Sequence, residues 1–322
     1  MKHILAIHTG GTISMETDTG TNTVNMGDTH PLVQTANHLH LPVHLTEKQP
    51  FHKPSPHITV NDMLVLKNLI ETEYRRSKVD GIVITHGTDT MEETAFFLDL
   101  TLEIDIPIIM TGAMRSSNDI GSDGIYNFMG AIRTAAHDQA KGKGVLVVFN
   151  DEIHTAKEVT KVHTTNAAAF QSVNSGPAGA ISGDSIHFHY EPVKQKLIKI
   201  HEINKKVALL KAYAGMDSSI LHAVRDLPYD GLVIEALGLG NLPPETAEGI
   251  ESLIANDIPV VLVSRCIKGM AGAAYNYPGG GRKLKELGVI FSQGLNGPKA
   301  RLKLLAALMH TNRVQDIKDT YF

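Results

Sequence analysis

The sequence predicts an α/β fold of two α/β domains with parallel-rich sheets, of which the N-terminal domain is larger and the C-terminal domain smaller. Two observations lead to this prediction: short apolar runs alternate with helix-like stretches, and a polar segment separates two such series. The apolar runs, such as Ile82–Ile84 and Val145–Val148, lack alternating polar residues. That pattern is typical of strands that helices cover on both faces.

Four strands are predicted in the N-terminal series, at Ile4–Ile7, Gly81–Ile84, Ile106–Met110 and Val145–Phe149. After the second strand, residues Thr90 to Glu93 fit a capping box at the start of an apolar helix that continues through Leu98. In open α/β sheets, ligands bind at the carboxyl ends of the strands. Because Thr12 and Thr88 each follow a predicted strand, we expect both of them in one cleft.

A segment rich in Lys and Glu separates the two series and indicates an interdomain connector. We therefore predict an N-terminal catalytic domain over residues 1–190, a linker over 191–206 and a C-terminal domain over 207–322. The second series contains three predicted strands and a last helix, at Val207–Leu210, Gly231–Glu235, Val260–Val263 and Pro298–Met309.

The composition argues against several classes of function. The net charge of −4 comes from 30 basic and 34 acidic residues without the basic stripe that a phosphate backbone needs, so nucleic acid is not an expected partner. No apolar run reaches membrane-spanning length, and the apolar stretch at the start of the chain is too short for a signal peptide. We expect a cytoplasmic protein that does not bind a membrane.

Residues that bind metals or nucleotides do not form recognisable patterns. The single cysteine, Cys266, permits no intrachain disulfide and no cysteine-based metal site, and we predict that it is a small core residue. His187 and His189 have no carboxylate or cysteine constellation beside them. The segment Gly238–Gly240 lacks the third glycine and the distal acid of a dinucleotide fingerprint. We therefore predict neither a metal nor a cofactor.

Three segments carry residues suited to a nucleophile and a proton relay. Thr9–Ser14 follows the first strand, and its two glycines let the backbone turn sharply and approach a ligand. Thr85–Thr90 places a hydroxyl beside a carboxylate, and Val159–Thr164 supplies the ammonium group of Lys161. A threonine hydroxyl becomes a good nucleophile only when a neighbouring base accepts its proton. Each segment alone has a common structural explanation, but together they form a candidate proton relay.

These motifs also occur in a recognisable order. HTGGTIS at His8–Ser14, ITHGTDTMEETA at Ile84–Ala95 and PIIMTGAMRSSNDIGSDG at Pro107–Gly124 resemble the motifs of the bacterial-type L-asparaginases. VTKVHTTNAAAF at Val159–Phe170 and GLGNLP at Gly238–Pro243 extend the resemblance over nearly the whole chain. The resemblance implies a cytoplasmic-type L-asparagine amidohydrolase that forms a homodimer or homotetramer, with sites at the subunit interfaces.

Carried over motif by motif, the resemblance implies two sets of site residues. The catalytic set consists of Thr12, Thr88, Asp89 and Lys161. The substrate-binding set consists of Gly11, Ser55, Gly87, Ala113 and Asn241. In this family the residue at the position of Ala113 contacts the substrate amide through its backbone carbonyl, and a partner subunit supplies the asparagine at the position of Asn241.

The resemblance also implies a double displacement. We expect Thr12 to attack the amide carbon of L-asparagine, so that ammonia leaves and an acyl-enzyme ester forms, which water then hydrolyses. Backbone N–H groups of the two Gly–Thr loops are expected to stabilise the oxyanion, at roughly 3–4 kcal/mol for each well-placed donor. Lys161 is expected to shuttle a proton through Thr88, while Asp89 orients the ammonium and binds the α-amino group of the substrate.

Two positions depart from the family pattern. Pro56 stands where several relatives carry a polar side chain, which removes a substrate contact and shifts the expected preference against glutamine. The loop Met15–Asp28 contains no tyrosine, and the chain has none before Tyr74, although relatives often place one in this loop. The group that activates Thr12 and the order in which the two threonines react are therefore left open.

Two alternatives to an asparaginase remain. One is an amidase of the same fold that acts mainly on glutamine, or on an amide carried by a larger molecule such as tRNA. The tRNA version is disfavoured because amide-transfer subunits carry a further N-terminal domain, whereas the nucleophile loop here starts at Thr9. The other alternative is a non-catalytic asparagine sensor, which has no evident need for the four catalytic residues together.

Overall fold

In the computed structural model, the apolar runs of the sequence form the centre of an eight-stranded mixed sheet. The structure describes residues 1–18, 20–21, 23–26 and 43–322, so that residues 19, 22, 27 and 28 of the predicted nucleophile loop lie outside the described part. The chain divides into two compact α/β units, Met1–Leu197 and Ile198–Phe322, and the predicted fold class is confirmed. The linker over 191–206 and the domain boundaries stay predictions.

The first unit contains most of the strands. They are β1 (Lys2–His8), β2 (Met15–Asp18), β3 (Thr23–Met26), β4 (Val43–Lys48), β5 (Gly81–Thr85), β6 (Ile108–Thr111), β7 (Val145–Phe149), β8 (Glu152–Thr155), β9 (Val159–Lys161), β10 (Phe170–Ser172), β11 (Gly179–Ser182) and β12 (Ser185–Phe188). The helices of this unit are α1 (Val60–Ser77), α2 (Met91–Thr101) and α3 (Gly124–Ala135), and short 3-10 turns lie at Thr12–Ser14, Ser55–His57 and Asp138–Ala140.

The large sheet is parallel at its centre and antiparallel at one side. Its strand order is β12-β11-β8-β7-β6-β5-β1-β4. The neighbouring strands β7, β6, β5, β1 and β4 are parallel to one another, as the apolar runs predict. The antiparallel strands β8, β11 and β12 were not predicted. Asn150 and Asp151, with φ of 48° and 66°, connect β7 to β8. Such a turn suits a two-residue hairpin and leaves no room for a crossover helix, so the chain reverses direction.

One predicted strand is displaced. The run Ile106–Met110 forms a strand only over Ile108–Thr111, because Pro107 has no N–H to donate to a neighbouring strand. The core that supports this part of the sheet lies against α3, where Phe128 and Ile132 pack with Val83 and Ile109. Truncation of a buried aromatic side chain such as Phe128 to alanine typically costs about 3–5 kcal/mol.

The second unit is a smaller sheet with its own core. Its strands are β13 (Val207–Lys211), β14 (Gly231–Ala236), β15 (Val260–Ser264) and β16 (Ile290–Phe291). Its helices are α4 (Ser219–Asp226), α5 (Pro244–Ala255), α6 (Gly281–Leu287), α7 (Gly297–Leu308) and α8 (Val314–Tyr321). All four strands are parallel and lie in chain order. The helix predicted over Pro298–Met309 is α7, shifted by one residue at each end, but it is not the last one, because α8 follows it.

Cys266 corrects a prediction about the core of the second unit. Its side chain is exposed and not buried, because the apolar run ends with β15 at Ser264 and the following residues leave the sheet. Across the described part of the chain, no helix is long and apolar enough to cross a membrane.

Candidate active site

Except for Lys161, the predicted site residues of the first unit follow neighbouring parallel strands. The loops after β4, β1, β5 and β6, which are adjacent in the sheet, carry Ser55, Thr12, Thr88 and Ala113. The register places His8 opposite Thr85, and Thr85 opposite Thr111. The strands β1, β5 and β6 therefore end at the same level, and their loops emerge side by side at the carboxyl edge of the sheet.

The loops of the two threonines touch through a pair of glycines. Gly11 has a φ of 86°, and a Cβ on it would lie 2.2 Å from the Cα of Gly87. A Cβ on Gly87 would in turn lie 2.7 Å from the Cβ of Ser55. Glycine is the residue that permits both the positive φ of Gly11 and this backbone approach. Because Thr12 and Thr88 directly follow the two glycines, the contact brings their loops together.

Lys161 lies between the hydroxyl of Thr88 and the carboxylate of Asp89. Its Nζ donates to Thr88 Oγ1 at 2.9 Å and to Asp89 Oδ1 at 2.7 Å. An ammonium at this distance from a carboxylate forms a charge-assisted hydrogen bond. The hydroxyl of Thr88 accepts from Lys161 and so retains its own hydrogen for another acceptor. Thr88 is only 6% exposed, whereas the side chain of Asp89 is 57% exposed and reaches the open side of the site.

Ser55 fastens the segment that carries Asp89. Ser55 is buried, its Oγ accepts the Asp89 backbone N–H at 3.1 Å, and its carbonyl accepts the hydroxyl of Thr90 at 2.9 Å. The predicted capping box is therefore wrong in its hydrogen bonds. Thr90 is the N-cap residue of α2, but its side chain makes no capping bond and instead donates to the 3-10 turn of Ser55.

His86, which is not among the predicted site residues, supports the same loop through hydrogen bonds of its ring. Its Nδ1 lies 2.8 Å from the carbonyl oxygen of Gly87, and its Nε2 lies 3.0 Å from Thr94 Oγ1. A carbonyl only accepts, so Nδ1 carries the proton and Nε2 accepts the hydroxyl of Thr94. Complete burial lowers the pKa of His86 to about 4, so the ring is neutral near pH 7. The ring thus fixes the peptide that precedes Thr88.

A second contact that the sequence analysis missed supports Lys161. Lys161 ends the three-residue strand β9, which pairs with β10 and places Lys161 opposite Phe170. Its neighbour Thr160 donates to Glu92 Oε1, on the first turn of α2, at 3.1 Å. Two adjacent residues of β9 therefore hold the segment from Thr88 to Glu92. Glu92 and Thr160 both lie within the sequence motifs, close to predicted site residues. That position is the feature of the sequence by which they could have been identified.

Ala113 is buried beside the nucleophile turn. It is 1% exposed, and a Cβ on Gly124 would lie 3.4 Å from the Ala113 Cβ and 3.1 Å from Ile13 Cγ1. A Cβ on Gly112 would lie 2.4 Å from the carbonyl oxygen of His86. The backbone at Ala113 is therefore packed between the loops of the two threonines.

Asn241 belongs to the second unit, in the loop after β14. Its Oδ1 accepts the N–H of Gly281 at the start of α6, at 3.1 Å, and its backbone bridges to Leu237. The amide NH₂ is thus the group that this side chain presents for a ligand. Its role at a substrate stays a prediction. Within the described ranges, no group of three or more His, Cys, Asp or Glu side chains is arranged to hold a metal ion.

Comparison with known proteins gives consistent matches along the chain. Residues 3–194 match the family model of the asparaginase N-terminal domain, and residues 206–321 match that of the glutaminase/asparaginase C-terminal domain. A probable L-asparaginase of Deinococcus radiodurans is 40% identical over 87% of this chain and 86% of its own length. The L-asparaginase of Bacillus licheniformis is 33% identical over 99% of both chains.

A solved structure gives the same result. The crystal structure of a probable cytoplasmic L-asparaginase from Campylobacter jejuni superposes with a TM-score of 0.88 at 28% identity, and the match covers 100% of this chain and 99% of that one. The two family models together span nearly all of the residues that carry the site described above. The chain therefore belongs to the bacterial-type asparaginase family.

Proposed function

We propose that the protein is an L-asparagine amidohydrolase, which converts L-asparagine and water to L-aspartate and ammonia. The observation that carries the proposal is the hydrogen-bonded set of Thr88, Asp89 and Lys161 beside the contact between Gly11 and Gly87. The set unites a hydroxyl, a carboxylate and an ammonium at the carboxyl edge of a parallel sheet. The relatives, named as L-asparaginases or probable L-asparaginases, support L-asparagine as the substrate.

Thr12 is the nucleophile in this proposal. It lies on a 3-10 turn directly after Gly11 and is partly exposed at the carboxyl edge of the sheet. Its hydroxyl loses its proton to solvent as Oγ1 bonds to the amide carbon, the C–N bond breaks, and the nitrogen leaves as ammonia after it gains one proton through Thr88, so the step consumes no net proton. Water then attacks the ester, which releases L-aspartate and restores the hydroxyl of Thr12. Backbone N–H groups of the two loops stabilise the oxyanion of each step.

Lys161 and Asp89 have different tasks in the proposed mechanism. Lys161 donates to the hydroxyl of Thr88, and that hydroxyl donates its own hydrogen toward the leaving nitrogen, which forms a relay from ammonium to amide. Asp89 holds Lys161 with one carboxylate oxygen, and its exposed carboxylate binds the α-ammonium group of the substrate. With its α-ammonium opposite this carboxylate, a free amino acid is expected to be preferred over an amide that lacks that group.

The remaining substrate contacts are part of the same proposal. Gly11, Ser55, Gly87 and the backbone of Ala113 line the substrate, and Asn241 of the partner subunit completes the site in a homodimer or homotetramer. The exposed Pro56 offers no side-chain hydrogen bond, which favours asparagine over the longer glutamine. We further propose a cytoplasmic location, the one named for the protein of known structure from Campylobacter jejuni.

The test is ammonia release from L-asparagine and L-glutamine by the purified protein and by two variants. We expect turnover of L-asparagine to exceed that of L-glutamine, and Thr12→Ala to lose at least ~10³-fold in kcat. Thr12→Ser is the matched control, because it keeps a hydroxyl at the same position and is expected to retain measurable turnover.

Each other outcome points elsewhere. Faster release from glutamine identifies a glutaminase of the same fold. Binding of asparagine by titration calorimetry without any ammonia identifies a sensor. Turnover that survives in Thr12→Ala makes Thr88 the nucleophile.

A further inference from the structure

The hairpin of β2 and β3 begins directly after the turn that carries Thr12. Met15 donates its N–H to the carbonyl of Thr12 and starts β2, which pairs with β3 so that Met15 lies opposite Met26 and Thr17 opposite Val24. One hydrogen bond and three residues of chain therefore link Thr12 to β2, so contacts that fix β2 also restrict the position of Thr12.

The loop between β6 and α3 holds the outer edge of β2. Both the backbone N–H and the Oγ of Ser117 donate to the carbonyl of Met15, each at 3.0 Å. The side chain of Asn118 binds Thr17 twice: Oδ1 accepts the backbone N–H at 2.8 Å, and Nδ2 donates to the carbonyl at 2.9 Å. The N–H and C=O of one strand residue face the same side, so Met15 and Thr17 present one edge. The Asn118 amide occupies that edge as the peptide of a neighbouring strand does.

This loop has a fixed shape of its own. The carboxylate of Asp123 accepts the backbone N–H groups of Met114 and Arg115 at 3.0–3.1 Å, and Arg115 donates to the carbonyl of Gly121 at 2.7 Å. Ala113 is the second residue of the loop, and Gly124 lies close to both Ala113 and Ile13. The same rigid loop thus borders Ala113 at one end and binds the hairpin of Thr12 through Asn118.

We propose that Asn118 is a positioning residue for the hydrolysis of L-asparagine, a role that rests on the proposed function. By binding both backbone groups of Thr17, Asn118 keeps the hairpin docked on the Ala113 loop. It thereby holds Thr12 at a fixed place relative to the carbonyl of Ala113. Asn118 itself is exposed, and its side-chain hydrogen bonds go to the backbone of Thr17, so it acts on the reaction through the hairpin.

Two variants separate the two bonds. Asn118→Ala removes both, whereas Asn118→Asp keeps an oxygen that accepts the N–H of Thr17 and loses the donor to its carbonyl. Asn204→Ala is the matched control, since Asn204 is also exposed and its side chain donates one hydrogen bond, to Glu202. Both sites are on the surface, so the variants are expected to fold, with melting temperatures within about 2 °C of the wild type.

Two readouts test the positioning role. Hydrogen exchange of the peptide that contains Thr17 reports the clamp, which is the pair of hydrogen bonds between Asn118 and Thr17. We expect this exchange to be about 10-fold faster in Asn118→Ala. Steady-state kinetics with L-asparagine report its effect on the reaction. We expect kcat to fall about 10-fold in Asn118→Ala and less in Asn118→Asp, with KM changed by less than about 3-fold, because a displaced nucleophile lowers the rate of the bound complex.

The negative outcomes are distinct. Unchanged exchange in Asn118→Ala overturns the clamp, and faster exchange with unchanged kcat overturns the positioning role while the proposed function stands. A fall in kcat of the same size in Asn204→Ala also overturns the role, because the effect is then not specific to the hairpin. A wild-type protein that releases no ammonia from L-asparagine overturns the proposed function and the positioning role together.

Discussion

Substitution of Gly11 by alanine tests whether the contact between the two glycines shapes the site. Gly11 has φ of 86° and ψ of 179°, a region of the backbone map that is essentially restricted to glycine. A Cβ would lie 2.2 Å from Cα and 2.4 Å from N of Gly87, and both are backbone atoms that cannot rotate away. The variant therefore has to move one loop relative to the other.

The expected loss follows from these distances. Backbone strain in this region costs about 1–3 kcal/mol. Ordinary contact needs about 3.4 Å, so the loops have to separate by about 1 Å. Misplacement of reacting groups by about 1 Å lowers a rate by about 10²-fold, which corresponds to about 3 kcal/mol of activation free energy. We expect kcat/KM for L-asparagine to fall at least 100-fold, together with a lower melting temperature.

A second glycine separates strain from displacement. Gly183 has a φ of 59°, and nothing lies within 4 Å of a Cβ placed on it. Gly183→Ala is expected to cost about 1 kcal/mol of stability from its left-handed conformation and to leave kcat/KM unchanged. Steady-state ammonia release and thermal melts measure both variants. Full activity of Gly11→Ala, or an equal loss in Gly183→Ala, refutes the argument that the glycine contact positions the two threonines.

Three further predictions concern the surroundings of Thr88. Lys161→Met keeps the length of the side chain but removes the ammonium, and we expect kcat to fall about 10²–10⁴-fold in steady-state assays; retention of more than a tenth of the rate contradicts the relay. Thr160→Val removes the hydrogen bond to Glu92 and is expected to lower kcat about 5–10-fold, whereas Thr160→Ser keeps the wild-type rate; equal losses in both variants exclude the hydroxyl as the cause. The folded-state pKa of His86, about 4, lies below the usual value of 6.5, so the unfolded chain binds a proton that the native protein excludes between these pH values. We expect the free energy of unfolding of the wild type, measured with urea, to fall by up to about 3 kcal/mol relative to that of His86→Gln as the pH falls from 6.5 to 4. A difference between the two unfolding free energies that does not change with pH contradicts this.

Much of the fold was predictable because the central strands are buried on both faces. A run such as Val145–Val148 has no polar side to place in water, so its sequence indicates a covered parallel strand. The antiparallel extension was harder to predict. The strand β8 has only four residues, and its direction depends on the left-handed backbone of Asn150 and Asp151 in the preceding turn. A dipeptide of this type is a hairpin signal only if the strand after it is recognised first.

The site was predictable in its residue types but not in its hydrogen bonds. Lys161 and Thr88 are 73 positions apart, and without the family resemblance no spacing rule connects them. The capping box at Thr90 failed for a related reason. The hydroxyl of a cap residue bonds to its own helix unless a closer acceptor is present, and here the carbonyl of Ser55 lies within 2.9 Å. That acceptor arrives from a loop 35 positions earlier in the sequence.

The structure gives the two threonines different chemical situations. Thr88 is buried, and its hydroxyl oxygen accepts a hydrogen bond from the Lys161 ammonium, which withdraws electron density from that oxygen. Such a hydroxyl is a better proton donor and a poorer nucleophile. Thr12 is partly exposed on its turn. At the preceding residue, Gly11, the backbone of Gly87 lies too close for any side chain. The proposed roles, attack by Thr12 and proton delivery by Thr88, use each oxygen for the reaction that its surroundings favour.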